Sequence, residues 1–535
     1  MATADSEPMA PAPPRRRLAV NTAFFSFATG LSRVVGLVRE VVAANYFGVT
    51  GAMSAFTIAF QFPNLIRALF ADAALQGAFV PVFTELLEKD KRKEAFRLAS
   101  SLILIITLVL GSLTLIFFLA APVVMPLFAP GLSEPLQELT TNLARLMFPI
   151  VLLLALSGVT VGMLNSFEHF AVPALAPVAW NLVIISCLVF LRPAFADGNE
   201  IYAYAVGVLA GTVVQLLLPL PWLRGRGGRF TFTLEWNEHV KQVLLLMLPV
   251  TIALGLINFS LLINSFFGTL VSDEAPAAID RAFRIYMLPQ GLFSVAIATI
   301  LFPTLSRFAT RGDFKRLRET MANGLRQICL LLIPSAVILA VLADPITRLV
   351  YQRGAFDTEA TDLVSTALFW WSFSLPFQGI SLLFSRSFFS LQRPWATTAL
   401  AGGNLVVNIA ISFAFYKPFG VAGVVIGTVV ATIAMALAQG WILRGMLGGI
   451  DGAATASAGL RILAASAGLG VVAYAGWRGL DELLGASFPA QLASVGGGIF
   501  AGGLVYAFAV YAMRVREAEQ IWSLLTSRMR RNRDV

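Results

Sequence analysis

The chain has 535 residues, of which 57% are hydrophobic and 13% are charged, and its formal net charge is +9. A typical soluble protein carries about 25% charged residues, so this composition excludes a soluble enzyme and a disordered scaffold. The basic residues lie in short stretches between long apolar runs, which excludes a nucleic-acid binder. The sequence therefore predicts an all-α polytopic membrane protein.

Fourteen apolar segments follow one another along the chain, and a helix needs about 20 residues to cross the hydrocarbon core. Prolines inside some segments, among them Pro289 and Pro376, predict kinks. Residues 1–17 and 514–535 flank the segments, and we expect both to be cytoplasmic tails. The predicted spans are 18–46, 53–87, 98–128, 136–166, 172–192, 201–223, 241–270, 277–308, 318–343, 361–390, 395–416, 420–443, 459–480 and 490–513.

Lysine and arginine are distributed unevenly between these segments. They concentrate in the connections 89–97, 224–241 and 307–318 and in the C-terminal tail, whereas the alternate connections hold few of them. Cytoplasmic loops of membrane proteins carry the excess of basic residues. Both termini are therefore predicted to be cytoplasmic.

The chain contains two halves that resemble each other. The segment FVPVFTELL around Pro81 is similar to LFPTLSRFA around Pro303, and the run ending at Asn181 is similar to the run ending at Asn404. The offset between matched positions is nearly constant, which favours duplication. Chance similarity between apolar helices is the alternative.

The duplication predicts a domain organisation. Residues 18–223 would form a first six-helix lobe and residues 241–443 a second one, joined by a cytoplasmic linker at 224–240. Both lobes start on the same side, so the repeats are parallel, with a pseudo-two-fold axis along the membrane normal. Alternating-access transporters have such a layout. The two helices within residues 459–513 are an addition to the repeats.

Ionisable residues inside predicted spans are the strongest functional signal, because charge is expensive in the bilayer. In the first span, Arg33 and Glu40 share one helical face two turns apart, and Gly36 between them permits close helix approach. The ionisable residues that give this signal inside the predicted spans are Arg33, Arg39 and Glu40 in the first span, Arg67 and Asp72 in the second, and Arg281 and Arg284 in the eighth.

Four of these arginines are the core of the functional prediction: Arg33, Arg39, Arg67 and Arg284. At roughly 2.5–3.5 kcal/mol each, they would cost on the order of 10–14 kcal/mol if they faced lipid. Only two acids lie clearly at the same depth, which leaves a surplus of positive charge. A hydrated cavity lined by such arginines is expected to bind an anion. The planar guanidinium suits a phosphate or diphosphate.

Two alternatives stay open for the polar residues inside the spans. In a purely structural salt-bridge network, Asp280 would pair with Arg284 and Glu40 with a neighbouring arginine. Asn258 and Asn264 of the seventh span would either bond between helices or contribute to a cation site.

Motifs for nucleotides and metals are missing from the sequence. No Gly-Lys dipeptide occurs, which excludes a P-loop. Transport would therefore be energised by the membrane potential or an ion gradient, and the potential is worth about 2.3 kcal/mol per charge per 100 mV. Cys187 and Cys329 lie in apolar runs, and His169 and His239 are far apart, so neither a cofactor nor a metal site is predicted.

Three sequence motifs resemble one known family. They are SRVVGLVRE at 32–40, FQFPNLIRALFADAALQGAFVPVF at 60–83 and the LPQG…ILFPTLSRF stretch at 288–308. They are similar to the MurJ (MviN) family of lipid II flippases. That family belongs to the multidrug/oligosaccharidyl-lipid/polysaccharide exporter superfamily, and the resemblance covers nearly the whole chain.

The resemblance implies a function and a set of site residues. The family moves lipid II, the lipid-linked peptidoglycan precursor, across the bacterial inner membrane, and its cavity arginines match the four arginines above. Its acidic neighbour in the first span matches Glu40, and spans 13 and 14 are implied to form a groove for the polyprenyl tail. The chain departs from the family at Ser54, where an acid is frequent. The residues expected to support or gate the cavity are Ser32, Gly36, Glu40 and Asp72.

The resemblance also implies a transporter and not an enzyme, acting as a monomer on lipid II or a related polyprenyl-diphosphate glycolipid. Membrane lipids and cell-wall synthesis enzymes are candidate partners, and nucleic acid is not. The first rival is a flippase for another lipid-linked oligosaccharide. A cation-coupled drug exporter would need acids for cationic drugs, and a membrane glycosyl- or phosphotransferase would need acidic metal ligands. A non-transporting scaffold would leave the arginines inside the spans unexplained.

Overall fold

The computed structural model describes most of the chain. Asp72, most of the predicted linker 224–240 and most of both predicted tails lie outside the described residues. Within the described residues, the regular secondary structure is helical throughout. The all-α class predicted from composition is therefore confirmed. The described ranges are 15–70, 73–225, 238–450 and 452–515.

Eighteen α-helices follow one another in the described ranges, and short π-helical turns at Cys187–Leu191 and Gln290–Ser294 interrupt the series. The α-helices are α1 (Arg15–Phe47), α2 (Gly51–Phe70), α3 (Ala73–Glu88), α4 (Arg92–Phe128), α5 (Glu134–Met147), α6 (Ile150–Ser166), α7 (Ala171–Ser186), α8 (Ile201–Leu217), α9 (Glu238–Thr269), α10 (Ala275–Pro289), α11 (Val295–Thr310), α12 (Phe314–Val341), α13 (Ala343–Tyr351), α14 (Thr358–Ser372), α15 (Leu375–Ser390), α16 (Pro394–Leu447), α17 (Gly452–Leu484) and α18 (Phe488–Ala512).

Membrane crossing is supported by the length and the apolar character of these helices. Among the described residues, nine helices or runs of consecutive helices are long and apolar enough to cross a bilayer, and ten if the bent pair α14–α15 counts as one span. The polytopic class is thereby confirmed. The number of fourteen spans stays a prediction with which the helices are compatible.

Helix α16 contains two of the predicted spans, 395–416 and 420–443. Its helical conformation is interrupted at Gly420, where φ is 55° and ψ is −131°. Glycine has no Cβ and adopts positive φ about as readily as negative φ. The boundary predicted between these two spans therefore coincides with a glycine break.

Proline accounts for a second break. Helices α14 and α15 are bent by 48° relative to each other, and Pro376 occupies the first turn of α15. Proline has no backbone N–H, so the carbonyl four residues earlier, at Ser372, loses its helical donor. Pro289 ends α10 immediately before the π-helical turn Gln290–Ser294. The kink predicted at Pro376 is therefore present, and directly after Pro289 the α-helical conformation is interrupted by a π-helical turn.

The chain packs as two compact units, and each unit combines separate stretches of sequence. The predicted lobes are continuous stretches, so the division does not follow their boundaries, and the lobes stay a prediction. Unit 1 comprises 1–43, 66–120 and 145–252, and unit 2 comprises 44–65, 121–144 and 253–535.

The core of unit 1 is aromatic. Phe83 of α3 lies at its centre, with ring centroids 5.1 Å from Phe79, 6.1 Å from Phe96 and 6.0 Å from Phe167. Aromatic pairs at these separations add about 0.5–1.5 kcal/mol each beyond area burial. This cluster holds α3, α4 and the end of α6 together.

In unit 2, helices α17 and α18 pack on each other, and α17 also packs on α12. The Tyr506 hydroxyl of α18 donates a 2.6 Å hydrogen bond to the carbonyl of Leu330 in α12. Pro334 stands four residues after Leu330 and cannot donate to that carbonyl. Tyr506 thus satisfies a backbone acceptor that the proline leaves open.

Candidate substrate-binding site

Arg39 and Glu40 form a buried ion pair in α1. Their side chains contact each other directly, and the residues are only 8% and 4% exposed. The Arg39 guanidinium carbon also lies 4.8 Å from the ring centroid of Trp180 in α7. The Trp180 indole N–H donates to the Thr212 hydroxyl at 3.2 Å, which fixes the ring. Arg39 is therefore held by an acid and an aromatic face.

Gly36 lies against α7, as expected for a close approach of helices. A Cβ built on Gly36 would lie 3.7 Å from the side chain of Asn181, which is ordinary van der Waals contact. The Asn181 amide donates to the carbonyl of Pro177 at 2.9 Å. The position thus tolerates a methyl group, and close packing alone does not require glycine there.

Arg33 differs from Arg39 in its surroundings. Its side chain is exposed, and among the described residues it makes neither an ion pair nor a hydrogen bond. Ser32 next to it is half-buried, and Arg67, in the last turn of α2, is also half-buried. Of the predicted arginines in unit 1, Arg33 is the one that presents an open guanidinium to a ligand.

Arg284 of unit 2 is paired within its own helix. Its Nε donates to Oδ2 of Asp280 at 2.8 Å, one turn earlier in α10. The Arg284 side chain remains 32% exposed, against 14% for Asp280. Both ion pairs of the salt-bridge alternative, this one and that of Glu40, are therefore present. They reduce the expected surplus of charge but leave Arg284 accessible.

Arg281 is a buried residue to which the sequence alone assigns no role. It is completely buried, and its Nη2 lies 3.6 Å from the Met53 sulfur. Its guanidinium carbon lies 5.5 Å from the ring centroid of Tyr351 in α13. Nearby, the Ser54 hydroxyl accepts a 3.1 Å hydrogen bond from the backbone N–H of Ala277. Arg281 and Ser54 thus link α2 to α10. In the sequence, the position of Arg281 inside the eighth predicted span is the signal that marks it.

A second polar cluster lies inside unit 2. Oδ1 of Asn264 accepts hydrogen bonds from the Thr428 hydroxyl at 2.9 Å and from the Asn408 amide at 3.4 Å. The Ser412 hydroxyl donates to Asn408 at 3.1 Å. Of the two roles left open for Asn264, bonding between helices is observed. The side chain of Asn258 lies outside the described residues.

An apolar cavity of about 840 Å³ opens in unit 2. It is within the volume range typical of ligand pockets, about 300–1,000 Å³. Helices α12, α14, α15, α16 and α17 contribute to its wall, and Arg444 is the one charged residue among the described residues that line it. Representative lining residues are Cys329, Phe373, Phe377, Ile380, Trp441 and Leu460.

The structure therefore brings some of the predicted site residues into contact and assigns the others to different units. Arg39 is brought together with Glu40, and Arg33, Arg39 and Arg67 belong to unit 1, whereas Arg284 belongs to unit 2. Asp72 lies outside the described residues. The side chains that hold the arginines, such as Trp180, carry no signal in the sequence that would pair them with α1.

Comparison with known proteins places the chain among transporters. The family model described as "Lipid II flippase MurJ" matches residues 43–486. A curated relative from Rhizobium meliloti (strain 1021), named "Probable lipid II flippase MurJ", is 31% identical over 402 residues. These cover 74% of this chain and 75% of the relative.

Solved structures agree with this sequence match. A structure titled "Lipid II flippase MurJ, inward closed conformation" is 25% identical, with a TM-score of 0.74, and the match covers 91% of this chain and 99% of that one. An inward-facing multidrug resistance MATE family transporter of the MOP superfamily is 15% identical, with a TM-score of 0.67. This second match covers 78% of this chain and 95% of that one, and at this identity it shows a shared fold only.

Proposed function

Because the chain belongs to the family of lipid II flippases called MurJ, we propose that it carries lipid II from the cytoplasmic to the periplasmic leaflet by alternating access. It is a transporter and a multi-pass protein of the bacterial inner membrane. Lipid II is its substrate partner. The positive charge that binds the diphosphate comes from the four predicted arginines, Arg33, Arg39, Arg67 and Arg284.

One observation carries this assignment: the Arg33 side chain is exposed in α1, the helix of the first predicted span, and has no acidic partner among the described residues. An arginine in that position is costly unless water or an anion surrounds it. Its fork of N–H donors suits phosphate oxygens bidentately. Arg284 supports the proposal, because its side chain remains 32% exposed and a diphosphate can compete with Asp280 for it.

The buried pair has a different role in this proposal. Arg39 is held by Glu40 and Trp180, so it contributes positive potential to bound phosphate and keeps α1 packed on α7. Ser32, Gly36 and Asp72 complete the supporting set. The field of such fixed charges attracts an anion over several ångströms, even without direct contact.

The apolar cavity of unit 2 supports a site for the polyprenyl tail. A long hydrocarbon chain needs an apolar lining, and the lining residues of α12, α15, α16 and α17 provide one. Helix α17 corresponds to predicted span 13, so it belongs to the pair of helices expected to form a tail groove. We propose that the tail occupies this cavity, where Arg444 is the one charged residue among the described lining residues.

The energy source, the orientation and the oligomeric state belong to the same proposal. The absence of a P-loop from the sequence favours the membrane potential or an ion gradient over ATP. The basic connections favour cytoplasmic termini. The protein acts as a monomer that contacts membrane lipids, and cell-wall synthesis enzymes are its candidate protein partners.

The experiment is complementation of bacterial cells depleted of their own lipid II flippase, with periplasmic exposure of lipid II as the readout. The wild-type chain is expected to restore exposure, and an Arg33→Ala variant at matched expression is not. If folded and inserted wild-type protein fails to restore exposure, lipid II is not the substrate. In that case the rival, a flippase for another polyprenyl-diphosphate-linked oligosaccharide, shares the same arginine chemistry and becomes the better account.

A further inference from the structure

Two helix breaks lie side by side in unit 2. Helix α10 ends at Pro289 and continues through the π-helical turn Gln290–Ser294 into α11. Helices α14 and α15 meet at a 48° bend. Prolines and π-turns are local departures from α-helical geometry, and π-turns are frequent at functional sites.

A hydrogen bond between buried hydroxyl groups connects the two breaks. The hydroxyls of Tyr286 in α10 and Ser374 in the bend lie 2.9 Å apart, and Ser374 also donates to the carbonyl of Trp371 at 2.8 Å. Tyr286 is 2% exposed and Ser374 is completely buried. Separating the pair is costly, because the buried Tyr286 hydroxyl would lose its partner without gaining water.

Aromatic packing reinforces this connection. The ring centroid of Trp371, in the last turn of α14, lies 5.1 Å from that of Tyr286 and 5.2 Å from that of Phe283. Beyond the bend, Gly379 of α15 packs against the π-helical turn, and a Cβ built on it would lie 2.8 Å from the Ser294 hydroxyl. The two broken spans are thus in tight contact on both sides of their breaks.

Helix α10 and the bend between α14 and α15 belong to the two parts of the proposed substrate site, the diphosphate site and the tail cavity. Arg284 and Tyr286 are about 200° apart around α10, since each residue turns the helix by about 100°. One face of α10 therefore presents the Arg284–Asp280 pair, and the other contacts the bend. The bend itself forms part of the cavity wall, through Phe373 and Phe377.

We propose that Tyr286 and Ser374 are positioning residues that couple diphosphate binding at Arg284 to occupation of the apolar cavity by the polyprenyl tail. A chain seated against Phe373 and Phe377 sets the angle of the bend. Because the Tyr286–Ser374 hydrogen bond ties α10 to the bend, a change in the bend angle also moves α10 and the Arg284–Asp280 pair that it carries. The inference rests on the proposed function, because it needs both halves of the lipid to bind.

The test measures the binding of a diphosphate probe in the presence and absence of a probe for the hydrocarbon tail. Full-length protein in nanodiscs is titrated with inorganic pyrophosphate, with and without a saturating long-chain polyprenol. Allosteric coupling is typically about 5–150-fold, so polyprenol is expected to change the wild-type Kd for pyrophosphate at least about fivefold. In Tyr286→Phe and in Ser374→Ala this change is expected to disappear, while the Kd for pyrophosphate alone stays at the wild-type value.

Tyr506→Phe is the matched control, because it also removes a tyrosine hydroxyl from a hydrogen bond in unit 2, away from the bend. It should retain the coupling. Full coupling in either Tyr286→Phe or Ser374→Ala overturns the inference, and so does wild-type protein that binds both probes independently. Failure of wild-type protein to bind pyrophosphate at all contradicts the proposed diphosphate site instead, and failure to bind polyprenol contradicts the proposed tail site.

Discussion

Individual charged residues of this protein are of two kinds. Arg39 and Arg281 are buried and packed against aromatic or sulfur-containing side chains, and Arg39 also contacts Glu40. Arg33 is exposed and has no acidic neighbour in the described chain. The first kind stabilises the fold, and the second is available to a ligand. The distinction separates two arginines that lie six residues apart on one helix.

This distinction predicts opposite stability effects for Arg39→Ala and Arg33→Ala. Removing Arg39 takes the cation away from buried Glu40, and breaking a buried ion pair costs about 3–5 kcal/mol. Arg33→Ala should change the free energy of unfolding by less than about 0.5 kcal/mol, as surface substitutions do. Thermal unfolding of the purified variants measures the difference.

The control for this comparison is Glu40→Gln in the Arg39→Ala background, which removes the isolated charge and should recover part of the lost stability. Equal melting temperatures for Arg39→Ala and Arg33→Ala would show that the buried pair is not a structural element.

The hydrogen-bonded cluster around Asn264 gives a second prediction. Thr428→Val keeps the shape of the side chain but removes the donor to Asn264. Polar contacts between membrane helices contribute about 0.6 kcal/mol on average and about 1.7 kcal/mol at most, so the variant should lose an amount in that range. Denaturant unfolding measures the loss, with Thr398→Val on the exposed side of α16 as the control. If the free energy of unfolding of Thr428→Val equals that of the wild type, this hydrogen bond contributes nothing to helix association.

The sequence locates the arginines but not their partners. Arg33, Arg39 and Glu40 are visible because charge is rare in apolar spans. Trp180 lies far away along the chain, and nothing in the sequence pairs it with Arg39. The Arg284–Asp280 pair is local, four residues apart in one helix, and for that reason its spacing is sufficient to suggest it.

Among the helices, the most informative features are the points at which the helical conformation is interrupted. Gly420 separates two segments of α16, and Pro376 shapes the bend between α14 and α15. Both residues act through the backbone: glycine permits a positive φ, and proline removes a donor. Such positions are fixed by covalent geometry, and their substitution has a predictable sign.

Gly420→Ala is predicted to destabilise the protein. An L-residue at φ 55° and ψ −131° is strained, and strained backbone conformations cost about 1–3 kcal/mol each. The matched control is Gly403→Ala on the same helix, where a Cβ would meet open space. That control should be neutral or slightly stabilising, because alanine has the higher helix propensity. A Gly420→Ala variant as stable as the wild type would contradict the conformation described for this break.

The short helix α13 carries the pH-dependent prediction. Arg348 of α13 lies 3.4 Å from Asp481 at the end of α17. Burial raises the pKa of the nearby Asp344 carboxyl, and the negative charges of Asp362 and Asp481 raise it further, whereas Arg348 lowers it. The folded state therefore holds the Asp344 proton more tightly than the unfolded chain does.

A raised carboxyl pKa means that stability falls as the pH rises from the unfolded pKa through the folded one. Asp344→Asn should therefore raise the melting temperature at neutral pH and flatten its dependence on pH across that interval. Melting curves over a pH series check this, with the exposed Glu138→Gln as the control. If the melting temperature of Asp344→Asn depends on pH as steeply as that of the wild type, Asp344 is not the source of this dependence.

Among the helices, the sequence predicts the bend at Pro376 and the span boundary next to Gly420 but misses other elements. Helix α13 is nine residues long and, after Ala343, falls within the predicted connection between spans 318–343 and 361–390. The π-helical turns cannot be seen in hydrophobic periodicity, because one extra residue per turn does not change an apolar run. The 48° bend could be expected at Pro376, whereas its contact with Tyr286 depends on tertiary packing.

The whole molecule combines a polytopic helical fold with membership of the lipid II flippase family. Composition alone predicts the fold class, because a chain with 13% charged residues cannot cover a soluble surface. The division into two compact units does not follow the two lobes predicted from the sequence, since the short stretches 44–65 and 121–144 belong to unit 2. The predicted halves rest on sequence similarity, whereas the compact units reflect packing.

The most direct test of the central claim is the affinity of purified protein for lipid II after substitution of Arg33. Hydrogen bonds to charged groups contribute about 1.5–3 kcal/mol, and each 1.4 kcal/mol is a factor of about ten in Kd. Arg33→Ala should therefore weaken binding about tenfold or more, with Arg33→Lys between it and the wild type. Arg478→Ala, which removes an exposed ion pair, should bind as the wild type does. Wild-type affinity in folded Arg33→Ala would contradict the claim that this arginine binds the diphosphate.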